Sequence, residues 1–190
     1  MKSGSATRQR LLDAALRLFV EKGIAETSVR DLAEAASVAE GTLYRHYAAK
    51  ADLTADLFVS NYTAFAHRLA RLQDGQPPFQ MLLRSICVEV YRFHDENPPL
   101  FRFLLLIQHQ GLPRIADGPD NPVSVLQSMV EAALAQGEIA AIDPALATAI
   151  ILGVMLQPAT ALLYGRLGGE CLSEHAETVA AACWRAIAAG

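Results

Sequence analysis

Apolar residues recur along most of this chain at the spacing of an α-helix, and short polar or glycine- and proline-bearing stretches interrupt them. In TRQRLLDAALRLFVEKG, Leu11, Ala15, Leu18 and Phe19 stand at i, i+4, i+7 and i+8, one face of a helix that Gly23 ends. Ser28 followed by Asp31 reads as a short capping box, which predicts a second helix over about 28–35. After a turn of a few residues AEGTLYRHY forms a third, running to Tyr47, and Lys50 opens a longer fourth. The break at residues 74–78 leads into a fifth helix over 79–96, with Leu82, Leu83, Ile86, Val90 and Phe93 in helical register. Pro98 and Pro99 then punctuate, residues 100–110 form a short apolar helix, and GLPRIADGPDNP has the composition of a loop. Pro122, Asp143-Pro144 and Ser173-Glu174 mark the starts of three more helices, the last ending near Ile187. Runs of alternating β-branched residues are few, so the expected class is all-α.

Composition changes the picture in three places. At 190 residues and 52% hydrophobic, the chain buries enough surface to fold without staples, and its three cysteines, Cys87, Cys171 and Cys183, lack CxxC or metal-ligand spacing. A reducing cytoplasm, no metal and no cofactor are expected, and the N-terminus lacks the apolar stretch of a signal peptide. The 22 residues from Pro144 to Gly165 carry no charge, about enough to span a bilayer. Gln157, Pro158 and the flanking Thr148 and Thr160 interrupt that run, and no basic cluster borders it, so an interface helix is expected there and no membrane span. The net charge of −4 divides into +2 over residues 1–50 and −6 over the rest, and all three lysines lie in the first part. That asymmetry suits an N-terminal end that meets an acidic partner.

Three short helices with a tight second turn are what a helix-turn-helix needs to push one helix into a major groove. Thr42, Tyr44, Arg45, His46 and Lys50 put hydroxyl, guanidinium, imidazole and ammonium donors on and just after the third helix, and phosphate oxygens accept from all of these. The run SVRDLAEAASVAEGTLYRHYAAKADL resembles the DNA-binding signature of the tetracycline-repressor (TetR) family, a likeness that covers residues 6–55. The resemblance implies that Thr42, Tyr44, His46 and Lys50 contact phosphates or groove edges, and that Leu43 points into the small core. It implies that Glu40, Gly41 and Arg45 read bases and that Ser28 and Arg30 reach the backbone, with Arg45 suited to a bidentate guanine contact. Two positions depart from the family pattern: Ser37 stands where glycine is usual in the turn, and Ala39 where a capping serine or threonine is usual. Ser37 with Glu40 offers an alternative cap, which would start the third helix earlier.

The expected organisation is a helix-turn-helix domain over 1–50 and a helical ligand-binding and dimerisation domain over 51–190, linked by the fourth helix. In the second domain Cys87, Tyr91, His94, Phe101, Phe103, Gln108, Gln157 and Tyr164 combine apolar walls with a few polar groups, the make-up of a small-molecule pocket. The i, i+4, i+7 stripe of Cys87, Tyr91 and His94 faces either a ligand or a satisfied core. Small residues crowd the last two helices, so residues 144–189 are expected to pair with their copies in a homodimer. No Ser/His/Asp, metal-binding or Gly-rich phosphate motif is visible, and Asp95-Glu96 beside His94 reads as a helix-end charge pair, which argues against an enzyme. The expected partners are double-stranded operator DNA, a second copy of the chain and a small hydrophobic or aromatic effector. The alternative is a DNA-binding regulator or activator without an effector.

Overall fold

The computed structural model describes residues 2–111, 118, 120–169 and 171–188, with the side chains of 2–4 and 108–111 left aside. They form α1 (Lys2–Lys22), α2 (Val29–Ala35), α3 (Glu40–His46), α4 (Lys50–Ala70), α5 (Phe79–Glu96), α6 (Pro98–Gly111), α7 (Pro122–Ala135), α8 (Pro144–Leu163) and α9 (Ala176–Ile187). No strand occurs among the described residues, and the protein is all-α.

Boundaries differ from the periodicity reading where local chemistry is permissive. α6 takes Pro98 and Pro99 into its first turn instead of starting after them, because the first N–H groups of a helix have no intrahelical partner to lose. α4 tightens into a 3₁₀ turn over Arg71–Gln73. A second such turn, Ser173–His175, precedes α9 where the sequence pattern starts that helix outright. Gly23 ends α1 at φ +88°, a conformation open to glycine, and its N–H donates to the Phe19 carbonyl at 3.1 Å.

Two compact units arise. The first comprises the described parts of residues 1–61 and 99–115, so it holds α1–α3, the first half of α4 and nearly all of α6. Leu11, Ala15, Leu32, Leu43 and Leu53 make its fully buried centre. Phe19 of α1 stacks on Phe103 of α6 with centroids 6.2 Å apart, an arrangement that adds about 0.5–1.5 kcal/mol to area burial.

The second unit comprises the described parts of residues 62–98 and 116–190. In it α9 packs on α5 and α8, and α8 on α7. α5 buries Leu82, Leu83, Ile86, Cys87, Val90, Tyr91 and Phe93 on the predicted stripe, and Glu89 with them. That carboxylate is compensated by Arg68, whose Nε donates to it at 2.6 Å while the guanidinium lies 5.4 Å from the centre of the Phe93 ring. α8 buries only the stripe Ala147, Thr148, Ile151, Met155 and Ala159. Elsewhere it is apolar and open, with Leu146 53% exposed.

Candidate nucleic-acid interface

α2, a four-residue turn and α3 form a helix-turn-helix. Ser28 caps α2 as its sequence announces: its hydroxyl accepts from the Asp31 N–H at 3.1 Å, and its own N–H donates to the Asp31 carboxylate at 3.0 Å. The Ser28 N–H on the carboxylate, and after it the Ser28 hydroxyl, hold the Asp31 carboxyl below its usual value. α2 then closes with Ser37 N–H on the Glu34 carbonyl at 3.0 Å and Val38 N–H on the Ala33 carbonyl at 2.9 Å. Ser37 sits at φ +54°, so a serine adopts the left-handed conformation that glycine takes freely. The alternative cap is not used. α3 starts at Glu40 behind Ala39, which has the extended backbone of an N-cap and no side-chain bond to give.

α3 divides by burial as helical spacing requires. Leu43 is fully buried and anchors the helix, whereas Glu40, Gly41, Arg45 and His46 are exposed and Tyr44 is 53% exposed. Thr42 is half-buried, and its hydroxyl accepts from the Arg45 guanidinium at 3.2 Å. A Cβ added at Gly41 would meet nothing within 4 Å, so this glycine leaves the helix surface flat and approachable. Arg30 is exposed, and Ser28 spends its hydroxyl on the cap. The structure therefore brings Glu40, Gly41, Thr42, Tyr44, Arg45 and His46 onto one short helix, with Lys50 opening the next.

Lys50 is engaged with the backbone. Its ammonium donates to the carbonyls of Ile24 and Thr27 at 2.7 Å each and of Ala25 at 3.3 Å, tying the first residue of α4 to the loop between α1 and α2. Three acceptors suit three ammonium donors. Sequence reasoning gave this residue a contact with phosphates or groove edges and not this one, because which carbonyls a lysine meets 23 to 26 residues away is not written in local spacing.

Two positioning residues were missed altogether. Asp56 of α4 accepts from Arg8 Nε of α1 at 2.9 Å and from the Tyr47 hydroxyl, just past α3, at 2.6 Å. Burial first, and then the bond to Asp56, push the Tyr47 phenol far above its usual value, so it stays an O–H donor. The signal was an acid, Asp56, on the inward side of an amphipathic helix.

The residues expected to line an effector pocket are distributed differently. Cys87 and Tyr91 are fully buried in the second unit, the Tyr91 hydroxyl donating to the Met155 carbonyl at 2.9 Å, which makes a satisfied core stripe. His94 is bonded to Asp95 at 2.9 Å. Asp95 also accepts from Cys171 Sγ at 2.9 Å and from the N–H groups of Leu172 at 2.8 Å and Ser173 at 3.0 Å. Burial pushes the Asp95 carboxyl up, but these hydrogen bonds outweigh it and hold the group far below the carboxylate range. Phe101 and Phe103 are buried in the first unit, Gln157 and Tyr164 are exposed in the second, and the Gln108 side chain lies outside the described residues.

Hollows open on the surface of each unit. One of about 380 Å³ in the second unit is lined by Phe79, Leu82, Met129, Gln136 and Glu138 among others. Another, of about 530 Å³ in the first unit, lies between the end of α1, the start of α4 and α6.

A buried leucine anchors a short helix that turns arginine, histidine and tyrosine outward, which is the geometry of a helix-turn-helix. Residues 11–57 match the family described as bacterial regulatory proteins, tetR family, a likeness that covers the N-terminal helices and the start of α4. Over 52 residues the chain is 44% identical to the HTH-type transcriptional regulator AcrR of Shigella flexneri, a match that covers 27% of this chain and 24% of that protein. It is 33% identical over 87 residues to the HTH-type transcriptional regulator TtgR of Pseudomonas putida, covering 45% and 41%. The chain thus spans between a quarter and two fifths of the length of these curated relatives. Its fold is that of a TetR family transcription regulator from Marinobacter aquaeolei VT8, with a TM-score of 0.77 at 22% identity over 100% of this chain and 99% of that one.

Proposed function

We propose that this protein is a homodimeric transcription regulator of the cytoplasm, which binds palindromic double-stranded DNA through α3 and releases it in response to a small hydrophobic or aromatic effector. The observation that carries the reading is the α3 surface: Tyr44, Arg45 and His46 exposed in one turn, over a fully buried Leu43 that fixes the helix against its core. Donors of this kind position a protein on phosphates, and an arginine specifies a base. The reading is of a binding protein, not an enzyme, with no cofactor and no membrane span.

The dimer enters through α8. By length and apolarity this helix would cross a membrane, yet it packs one stripe on its own chain and leaves the rest open. A second copy related by a two-fold axis covers such a face, with residues 144–189 as the contact, and two identical heads read inverted half-sites.

Selection from a random DNA library by the full chain should enrich an inverted repeat. On that site Tyr44→Ala should weaken all sequences alike, whereas Arg45→Ala should relax preference at one base pair per half-site, costing about 1–3 kcal/mol there. Enrichment of no inverted repeat would overturn the reading.

A further inference from the structure

The hollow of the first unit has a composition that the DNA-binding role does not use. Its wall is apolar, made by Val20 of α1, Ile24 of the following loop and Phe103, Leu106 and Ile107 of α6, and Leu106 is 48% exposed at its edge. Its lining includes two cations, Lys50 and Arg102, and no acid among the described residues. Lys50 has its three carbonyls. Arg102 is exposed and has neither an ion pair nor a hydrogen bond among the described residues, unlike Arg8 and Arg68, which are both paired to carboxylates. A volume of about 530 Å³ falls inside the range of small-molecule sites, about 300–1,000 Å³.

We infer that this groove is a binding site for a small amphipathic carboxylate, whose apolar body lies against Val20, Phe103, Leu106 and Ile107 and whose acid group is held by Arg102. Charge complementarity selects the occupant. A planar guanidinium meets a carboxylate with two parallel hydrogen bonds, and such charge-assisted bonds are the strong ones. A cationic ligand would face two like charges with no acid among the described lining residues to compensate them, and a neutral one would offer the guanidinium no countercharge. The apolar wall, with its exposed leucine, would leave water on binding, which favours a ligand with an alkyl or aromatic body.

The position of the groove gives occupancy a consequence. Ile24 and Ala25 form part of its wall, and their carbonyls, with that of Thr27, hold Lys50, the residue that begins α4 a few positions after α3. A ligand that favours one arrangement of this loop favours one setting of α3, and a ligand shifts an equilibrium only by such differential binding. The regulatory half of the inference rests on the DNA-binding reading. The binding half does not.

Calorimetric titration of the full chain with decanoate, 1-decanol and decyltrimethylammonium, all below their micelle concentrations, tests the site. Decanoate should bind once per chain and at least about tenfold more tightly than either of the others, a factor worth about 1.4 kcal/mol. Arg102→Gln should remove that preference, Arg102→Lys should keep most of it, and Leu106→Gln should weaken all three probes. Both residues are exposed, and unchanged melting of the variants would confirm their folding. On the selected operator, decanoate should alter the affinity of the wild type and leave Arg102→Gln unaffected.

Failure of decanoate to bind, equal binding of the three probes, or decanoate binding unchanged by Arg102→Gln would overturn the site even if the protein binds DNA. Decanoate binding that depends on Arg102, in a protein that selects no DNA, would establish the site and remove the regulatory reading. Binding that leaves operator affinity unchanged would overturn the coupling.

Discussion

Ala39 leaves the start of α3 without a side-chain cap. It has the extended φ and ψ of an N-cap but offers the first turn of α3 no acceptor, and α3 is only seven residues long. Ala39→Ser should raise stability by about 0.5–2 kcal/mol, read as a higher denaturant midpoint at unchanged slope. Ser37, two residues earlier, accepts a left-handed backbone instead of supplying the cap, so the turn keeps its length and α3 its starting point. Both departures were visible in the sequence. How the chain resolved them was not, because Ser37 is equally able to cap a helix and to close one, and local spacing does not choose between those backbones.

At the scale of the element, the ends of the helices are held by residues distant in sequence. Lys50 fastens α4 to the loop after α1, and Lys50→Met should cost about 1.5–3 kcal/mol, since carbonyls bonded to a charged donor lose their partner. Equilibrium unfolding in urea measures this loss without DNA, which distinguishes it from a phosphate contact. Asp95, at the end of α5, gathers the segment before α9 through Cys171, Leu172 and Ser173. Its carboxyl titrates below the ordinary value of about 3.9, so its contribution is complete above that pH and is lost as pH falls through the folded value. Asp95→Asn should therefore be less stable than the wild type at pH 7, and the difference should shrink in melts below about pH 3. A difference independent of pH would assign the loss to packing. Asp95 looked like half of a helix-end charge pair in the sequence. Only the return of residues 171–173 over α5 made it an acceptor for three further groups.

At the scale of the whole molecule, the proposed homodimer rests on the open face of α8. Light scattering at micromolar concentration should report twice the 20.5 kDa chain mass, because an apolar helix face of this length exceeds what soluble monomers expose. Leu146→Glu should shift the protein toward monomer and weaken operator binding together, whereas a stable DNA-competent monomer would contradict the two-fold arrangement.

The all-α class, the short helices at the N-terminus and the outward residues of α3 were determined by the sequence alone. They depend on interactions three or four residues apart, and a periodic pattern records such interactions directly. Tertiary structure decided the rest: that Lys50 meets backbone carbonyls, that Asp56 joins Arg8 to Tyr47, that Cys87 and Tyr91 fill a core, and that Phe101 and Phe103 fall in the unit of α1. A side chain's partners across tens of residues are set by which faces the helices bury against one another. Many pairings of amphipathic helices satisfy one hydrophobic pattern, and shape complementarity in the packed core selects among them.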